Sequence, residues 1–375
     1  MLVGIPKETG SGERRVAITP AQVTSLVASG VDVMLETRAG VRAGFDDSTY
    51  ESQGARVAPS MAAVFQADVM LQVRVPGSPG FPINIVRPGQ TLIGLADPLS
   101  ARDNIEALAA RGVNLFALEL LPRTSRAQSM DVLSSMATVA GYKAVLIAAE
   151  RLPKLFPMMV TAAGTVMPAK VLVIGAGVAG LQAIATSRRL GAVVTAYDVR
   201  PEVKEEIESL GARFAEIALE TGDAQDERGY AKALGEDFYE RQRALMSRLV
   251  EDADVVVTTA AVPGGTAPRL VTATMVDAMA AGSVIVDLAA ASGGNCELTQ
   301  ADTVVEHRGV SVLGPTNLPA TVPFHASQMY GRNITAFLMN LIVDGKLHVD
   351  LEDEVVRETL VARDGAIVHP RLLPS

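Results

Sequence analysis

The chain has 375 residues, 49% of them hydrophobic and 20% charged, with a formal net charge of −9. The length predicts two domains with a sizeable core, and the acidic balance argues against a polyanionic partner, so no nucleic acid is expected. No run of roughly 18 or more apolar residues escapes interruption by charge, Gly or Pro, so no membrane span is read; the opening "MLVGIPKETG" lacks the features of a signal peptide, and Cys296 has no second cysteine to pair with, which together point to the cytoplasm.

In chain order, short Val/Ile/Leu runs alternate with helical patterns, the signature of α/β architecture with parallel sheets covered on both faces. Strands are expected at "LVGI" and "VMLET", with the helix "TPAQVTSLVASG" between them, capped by Thr19 and opened by Pro20. "ADVMLQV", "TLIGL" and "GVNLFALE" continue the series. From Asp131 to about Arg151 the pattern turns helical for long enough to bridge two domains, and the domain boundary is placed inside it. Further strands follow at "DVVVTTA", "VIVDLAA" and "GVSVLG", alternating with helices such as "TATMVDAMAAG". A second long helical pattern, "FHASQMYGRNITAFLMNLIV", is expected to carry the chain back. The first domain is then discontinuous, residues 1–135 with 325–375, and encloses a second at 136–324; a simple C-terminal appendage is the alternative. The polar stretch "ETGDAQDERGYAKALGEDFYERQRA" reads as a surface loop followed by a helix.

The most informative stretch is "AKVLVIGAGVAGLQAIATSRRLGAVVTAYDVRP". Gly-x-Gly-x-x-Gly is weak by itself, but here Gly175, Gly177 and Gly180 follow a strand of buried type, open a helix and precede a second strand ending in an acid. Gly175 permits the tight turn, Gly177 lets the backbone approach a pyrophosphate, and Gly180 allows close helix-to-strand packing. The helix N-terminus attracts the anion. Asp198 can accept both hydroxyls of an adenosine ribose and repels a 2'-phosphate, which favours NAD over NADP; Arg200, two residues on, argues the other way. The competing reading is a glycine turn in an unliganded sheet.

A dehydrogenase acting on an alcohol or amine needs a positioned acid or base. The histidines do not offer one: His348 and His369 lie in a polar tail, His307 in a turn-like stretch, and His325 begins the second long helix. No metal site is read either. The dense polar constellation outside the glycine turn is "LPRTSRAQSMDVLSS", holding Arg123, Arg126, Gln128, Asp131 and Ser134. Such a set can hold an amide, ribose hydroxyls and another side chain at once. It can equally be a helix cap, with Asp131 or Ser129 capping and the arginines in water.

At this point the chain resembles, along nearly its whole length, the NAD(H)-binding alpha subunit (domain I) of the proton-translocating NAD(P) transhydrogenases, relatives of alanine dehydrogenase. The resemblance rests on "VGIPKETGSGERRVAITP", "PRTSRAQSMDVLSSMATVAGYKAV", the glycine block, "DLAAASGGNCE" and "DEVVRETLVARDGAIV". It implies two doubly wound parallel-sheet domains joined by two long helices, with a Rossmann-type NAD domain inserted in a Rossmann-like or flavodoxin-like one. It further implies that NADH bound here passes hydride directly to NADP+ on a partner subunit, which needs no acid or base, only two rings held dry and aligned at about 3 to 3.5 Å. The expected partners are membrane-spanning and NADP(H)-binding subunits, with a second copy as a homodimer, and the chain would sit peripherally on the cytoplasmic face of the inner membrane.

Matched residue by residue, the resemblance places Arg123 and Ser134 on the nicotinamide carboxamide, Gln128 toward the partner nucleotide, and Asp131 orienting the arginine. Gly229 and Tyr230 fall on a mobile loop that closes over NAD. Val178, Asp198, Val199, Arg200 and Gln242 are expected against the nucleotide, with Ala261 near it in place of a larger apolar residue. The chain departs from alanine dehydrogenases: "TLIGLADPLS" lacks their catalytic His, Arg74 stands for a substrate-binding Lys, and Ala291 for their second aspartate. Arg15 alone remains of that set.

Overall fold

Val-rich runs bounded by glycine turns form strands buried on both faces, because β-branched side chains pack well on a pleated surface covered by helices. Val255–Thr258 and Val284–Asp287 are buried at every position, and Val69–Arg74 at all but its last. The structure, a computed structural model, describes residues 1–77, 81–216, 236–262 and 264–373, apart from the side chains of 236–239. The chain divides into two compact units, Met1–Met136 with Pro319–Ser375, and Ala137–Leu318.

The first unit is built on an eight-stranded sheet. Its spatial order is Ala366–Ile367, Leu360–Arg363, Asn114–Ala117, Thr91–Leu95, Val69–Arg74, Leu2–Ile5, Asp32–Glu36 and Arg56–Ala58. The first two strands run antiparallel to their neighbours and the rest are parallel. Helix Pro20–Ala28 begins after Thr19, whose amide and hydroxyl both donate to Gln22 Oε1, at 3.1 and 2.6 Å. Helix Pro323–Asn340 buries Tyr330 and Phe337. Tyr330 Oη donates to the Gln72 carbonyl at 2.8 Å, and Phe337 meets Phe116 edge-on at 5.5 Å.

The second unit carries a seven-stranded sheet in the order Arg213–Phe214, Val193–Tyr197, Lys170–Ile174, Val255–Thr258, Val284–Asp287, Val310–Leu313 and Val304–His307, antiparallel only at the last pair. Both sheets make the molecule a mixed α/β protein with two Rossmann-like halves. Helix Val132–Arg151 packs Ala144, Val145 and Ala148 into the core beside Val171, Val173 and Ile184. By length and composition alone it is apolar enough to cross a membrane despite Gly141, Lys143 and Glu150, the one such helix among the described residues. The hairpin Met159–Thr161 with Gly164–Val166 forms its own two-stranded sheet, exposed throughout.

Two histidines differ from the sequence expectation. His369 is buried, its Nδ1 accepting from the Arg371 amide, and burial lowers its pKa. His307 belongs to an edge strand, where Nε2 lies 2.6 Å from Asp277.

Candidate functional site

In the second unit the strand order reverses about Lys170–Ile174, which lies between Val193–Tyr197 and Val255–Thr258. Ligands of open α/β sheets bind at such a switch point, outside the carboxyl ends of the strands. The register puts Tyr197, Ile174 and Thr258 in one row, so Asp198, Gly175 and Thr259 leave the sheet side by side.

Each glycine of the fingerprint meets a different constraint. Gly175 has φ +95°, in the left-handed region, and a Cβ there would lie 2.6 Å from Thr259 Oγ1. Gly180 sits in helix Val178–Arg189, where a Cβ would fall 1.9 Å from the Gly175 carbonyl oxygen. Gly177 is the helix N-cap, has no side-chain cap, and a Cβ there would meet nothing within 4 Å. The first turn of a twelve-residue helix therefore points its amides past a bare backbone into open space. That cradle fits the pyrophosphate of a dinucleotide.

Asp198 follows its strand directly, and its carboxylate is already engaged. Oδ2 accepts from the Ala176 amide at 2.7 Å and from Arg200 Nη2 at 3.0 Å; Oδ1 accepts from the Arg200 amide at 2.9 Å and Nε at 3.0 Å. Hydrogen bonding to Asp198 raises the Arg200 pKa above its ordinary value. The acid thus braces the glycine turn, a role the sequence did not disclose. Val178 is exposed at the first helical position, and Val199 is half-buried. Gln242 is buried behind the strand end, donating from Nε2 to Tyr197 Oη at 2.9 Å. Ala261 is exposed just beyond Thr259 and Ala260. Gly229 and Tyr230 lie outside the described residues.

In the first unit, the 123–134 segment winds through a short 3-10 turn, Ala127–Met130, anchored by those two buried residues. Asn333 Nδ2 donates to the Ser129 carbonyl at 2.8 Å, and Arg126 pairs with Asp353. Arg123 and Gln128 are exposed. Asp131 accepts from the Ser134 amide at 2.9 Å and from its hydroxyl at 2.5 Å, so it caps helix Val132–Arg151 while fixing Ser134. Capping and a binding role are compatible here, since one carboxylate serves the helix and orients a hydroxyl.

The first unit also holds a buried polar cluster that sequence reasoning missed apart from its arginines. Arg15 is spent on Glu13 through Nε and Nη2, at 2.8 and 2.6 Å, with both side chains buried. At its exposed edge Arg74 pairs with Asp97 at 2.6 Å. Burial pushes Glu8 up to about 8 even though it accepts from the Val73 amide at 2.6 Å, and burial pushes Glu119 up to about 7. Among the described residues, no group of three or more His, Cys, Asp or Glu is arranged to hold a metal.

Comparison with known proteins identifies the family. Residues 4–140 match the family model "Alanine dehydrogenase/PNT, N-terminal domain", and residues 144–370 match its C-terminal domain counterpart. The chain is 46% identical over 381 residues to the first part of the NAD(P) transhydrogenase subunit alpha of Rhodospirillum rubrum, covering 99% of each. It superposes on the crystal structure of transhydrogenase from Sinorhizobium meliloti with a TM-score of 0.89 and 45% identity, covering 98% of this chain and 100% of that one. Identity to alanine dehydrogenase 2 of Staphylococcus aureus is lower, 32% over 333 residues, covering 86% of this chain and 82% of the relative. The chain belongs to the alanine dehydrogenase/PNT family, and within it sides with the NAD(P) transhydrogenase alpha subunits.

Proposed function

We propose that this chain is the NAD(H)-binding subunit of a proton-translocating transhydrogenase, and that hydride passes directly between NADH held here and NADP+ held on a partner subunit. The supporting observation is the uncapped helix at Gly177, open beside Asp198 at the switch point of the second sheet. NADH supplies the hydride when bound. The amides at Gly177 and Val178 take its pyrophosphate, and Asp198 takes the adenosine ribose, with Val199 and Arg200 adjoining. Gln242 supports that end through Tyr197, and Ala261 lines the opposite side. Arg123 and Ser134 serve the carboxamide, Gln128 faces the partner nucleotide, and Asp131 orients the set through Ser134.

The same reading makes the chain a homodimer attached peripherally to the cytoplasmic face of the membrane through its partner subunits, where hydride transfer is coupled to proton translocation. An isolated two-stranded hairpin is marginal in water. The hairpin near residue 160 nevertheless exposes Val160 at 79%, and Met167 directly after it is exposed at 73%, which supports a second copy as its cover.

The test mixes the purified chain with an NADP-binding partner domain and follows NADH-dependent reduction of an NADP analogue. Reduction that requires both polypeptides is expected. Turnover of alanine or pyruvate by the chain alone would replace this reading with that of an amino-acid dehydrogenase.

A further inference from the structure

The loop after strand Val284–Asp287 is wired to the nucleotide crevice. Gly293 and Gly294, at φ +102° and +83°, turn it sharply, and a Cβ on Gly294 would lie 2.9 Å from Asp287 Oδ2. Asp287 is fully buried and holds the returning chain. Oδ1 accepts from the Ala289 amide at 2.9 Å, and Oδ2 from the Asn295 amide at 2.7 Å, the Cys296 amide at 3.0 Å and Thr299 Oγ1 at 2.6 Å.

Asn295, also fully buried, turns its side chain on the backbone of two residues, Ala260 and Pro268. Oδ1 accepts from the Ala260 amide at 3.0 Å, and Nδ2 donates to the Ala260 carbonyl at 2.8 Å and to the Pro268 carbonyl at 2.8 Å. A side-chain amide can accept from N–H and donate to C=O of the same residue, whereas a carboxylate would face two carbonyls with no proton to give. Ala260 in turn adjoins Thr259, whose hydroxyl donates to the Gly175 carbonyl at 2.9 Å. The Thr259–Ala260 backbone is packed so closely on the glycine turn that a Cβ on Gly175 would come within 3.1 Å of the Ala260 nitrogen.

We propose that Asn295 is a positioning residue of the nucleotide site. Braced by Asp287, its amide fixes the Ala260 peptide, and with it the wall of the crevice on the side of Lys170–Ile174 away from Asp198. The inference rests on the NAD(H) reading above and deepens it, because it divides the site in two. Asp198 and the glycine turn serve the adenosine half, and the wall that Asn295 fixes serves the remainder of the dinucleotide.

The test uses the full chain, with NADH affinity measured by the fluorescence of the bound reduced nicotinamide and AMP affinity by calorimetry. Asn295→Ala is expected to weaken NADH binding about tenfold or more and Asn295→Asp further, with AMP affinity held within about twofold and the circular dichroism spectrum retained. Equal weakening of NADH and AMP means general loosening and overturns the proposal, as does unchanged NADH affinity. Should both variants fail to fold, Asn295→Ser shortens the side chain out of reach of the Ala260 carbonyl while keeping a polar group at the buried position. It should weaken NADH severalfold and leave AMP alone, and an unaltered NADH affinity there overturns the proposal as well. Wild-type chain that binds no NADH overturns the underlying functional reading, and that control separates the two failures.

Discussion

Gly177 and Gly180 lie three residues apart in one motif, and the structure separates their roles by where a methyl group would go. At Gly180 a Cβ would stand 1.9 Å from the Gly175 carbonyl oxygen, whereas ordinary contact begins at 3.4 Å, so helix and turn must part by about 1.5 Å. The carbonyl cannot swing aside without giving up its hydrogen bond from Thr259. Overpacking of about 1–3 kcal/mol, plus about 1 kcal/mol for the strained hydrogen bond, puts Gly180→Ala roughly 2–4 kcal/mol below wild type. At Gly177 the same methyl group meets nothing within 4 Å, and φ is −76°, open to any residue. Gly177→Ala should therefore leave stability within about 1 kcal/mol, the modest difference between glycine and alanine at an N-cap. It should nonetheless weaken NADH at least about tenfold, because the methyl group stands where the pyrophosphate must approach. Urea unfolding followed by circular dichroism gives the stabilities, and fluorescence titration gives the affinities. If Gly177→Ala binds NADH as wild type does, the open space at that position is not a phosphate cradle and the reasoning fails.

Other outcomes follow from the same geometry. Asp198→Ala should relax discrimination against NADPH, measured as the ratio of the two dissociation constants; an unchanged ratio removes the ribose assignment. Arg123→Ala and Gln128→Ala should slow hydride exchange with the partner far more than they weaken NADH binding, and equal losses in stopped-flow rate and affinity would argue against a junction role. Val160→Asp should shift the chain to monomer in analytical ultracentrifugation, and a dimer that persists would exclude the hairpin as its interface. Glu8 is held near 8 by burial, above its ordinary 4.5, so the folded state binds the proton more tightly than the unfolded chain. Its contribution is full below about 4.5 and is lost as pH rises through about 8, at most about 4–5 kcal/mol at 1.36 kcal/mol per pKa unit. Glu8→Gln should flatten the fall in unfolding free energy between about pH 5 and 9 and make the variant the more stable form at the upper end; parallel curves would mean that Glu8 ionises in the fold at its ordinary pH.

What could be read from the sequence was whatever local chemistry determines. Thr19 and Pro20 mark a helix start, a long apolar periodicity marks Val132–Arg151, and the glycine turn between two Val-rich strands marks a switch point, because each signal is complete within a short window. Strands Leu360–Arg363 and Ala366–Ile367 were not legible, being short and defined by pairing with Asn114–Ala117 far back in the chain. Asn295 was invisible for the same reason: its partners, Ala260 and Pro268, lie 35 and 27 residues upstream. His369 looked like part of a polar tail because nothing near it in sequence reports its burial. At the candidate site, composition disclosed an acid at a strand end but not the arginine fork already closed on it.

That fork has a consequence for how a coenzyme is chosen. Four donors, three of them from Arg200, occupy both oxygens of Asp198 before any sugar arrives. On the proposed NAD(H) reading, ribose hydroxyls enter by exchange, each new bond replacing one surrendered by the guanidinium. Such a swap exchanges like hydrogen bonds for like and changes the net enthalpy little. On that reading the acid admits a sugar without gripping it, which suits a carrier that must let its passenger go at every turnover.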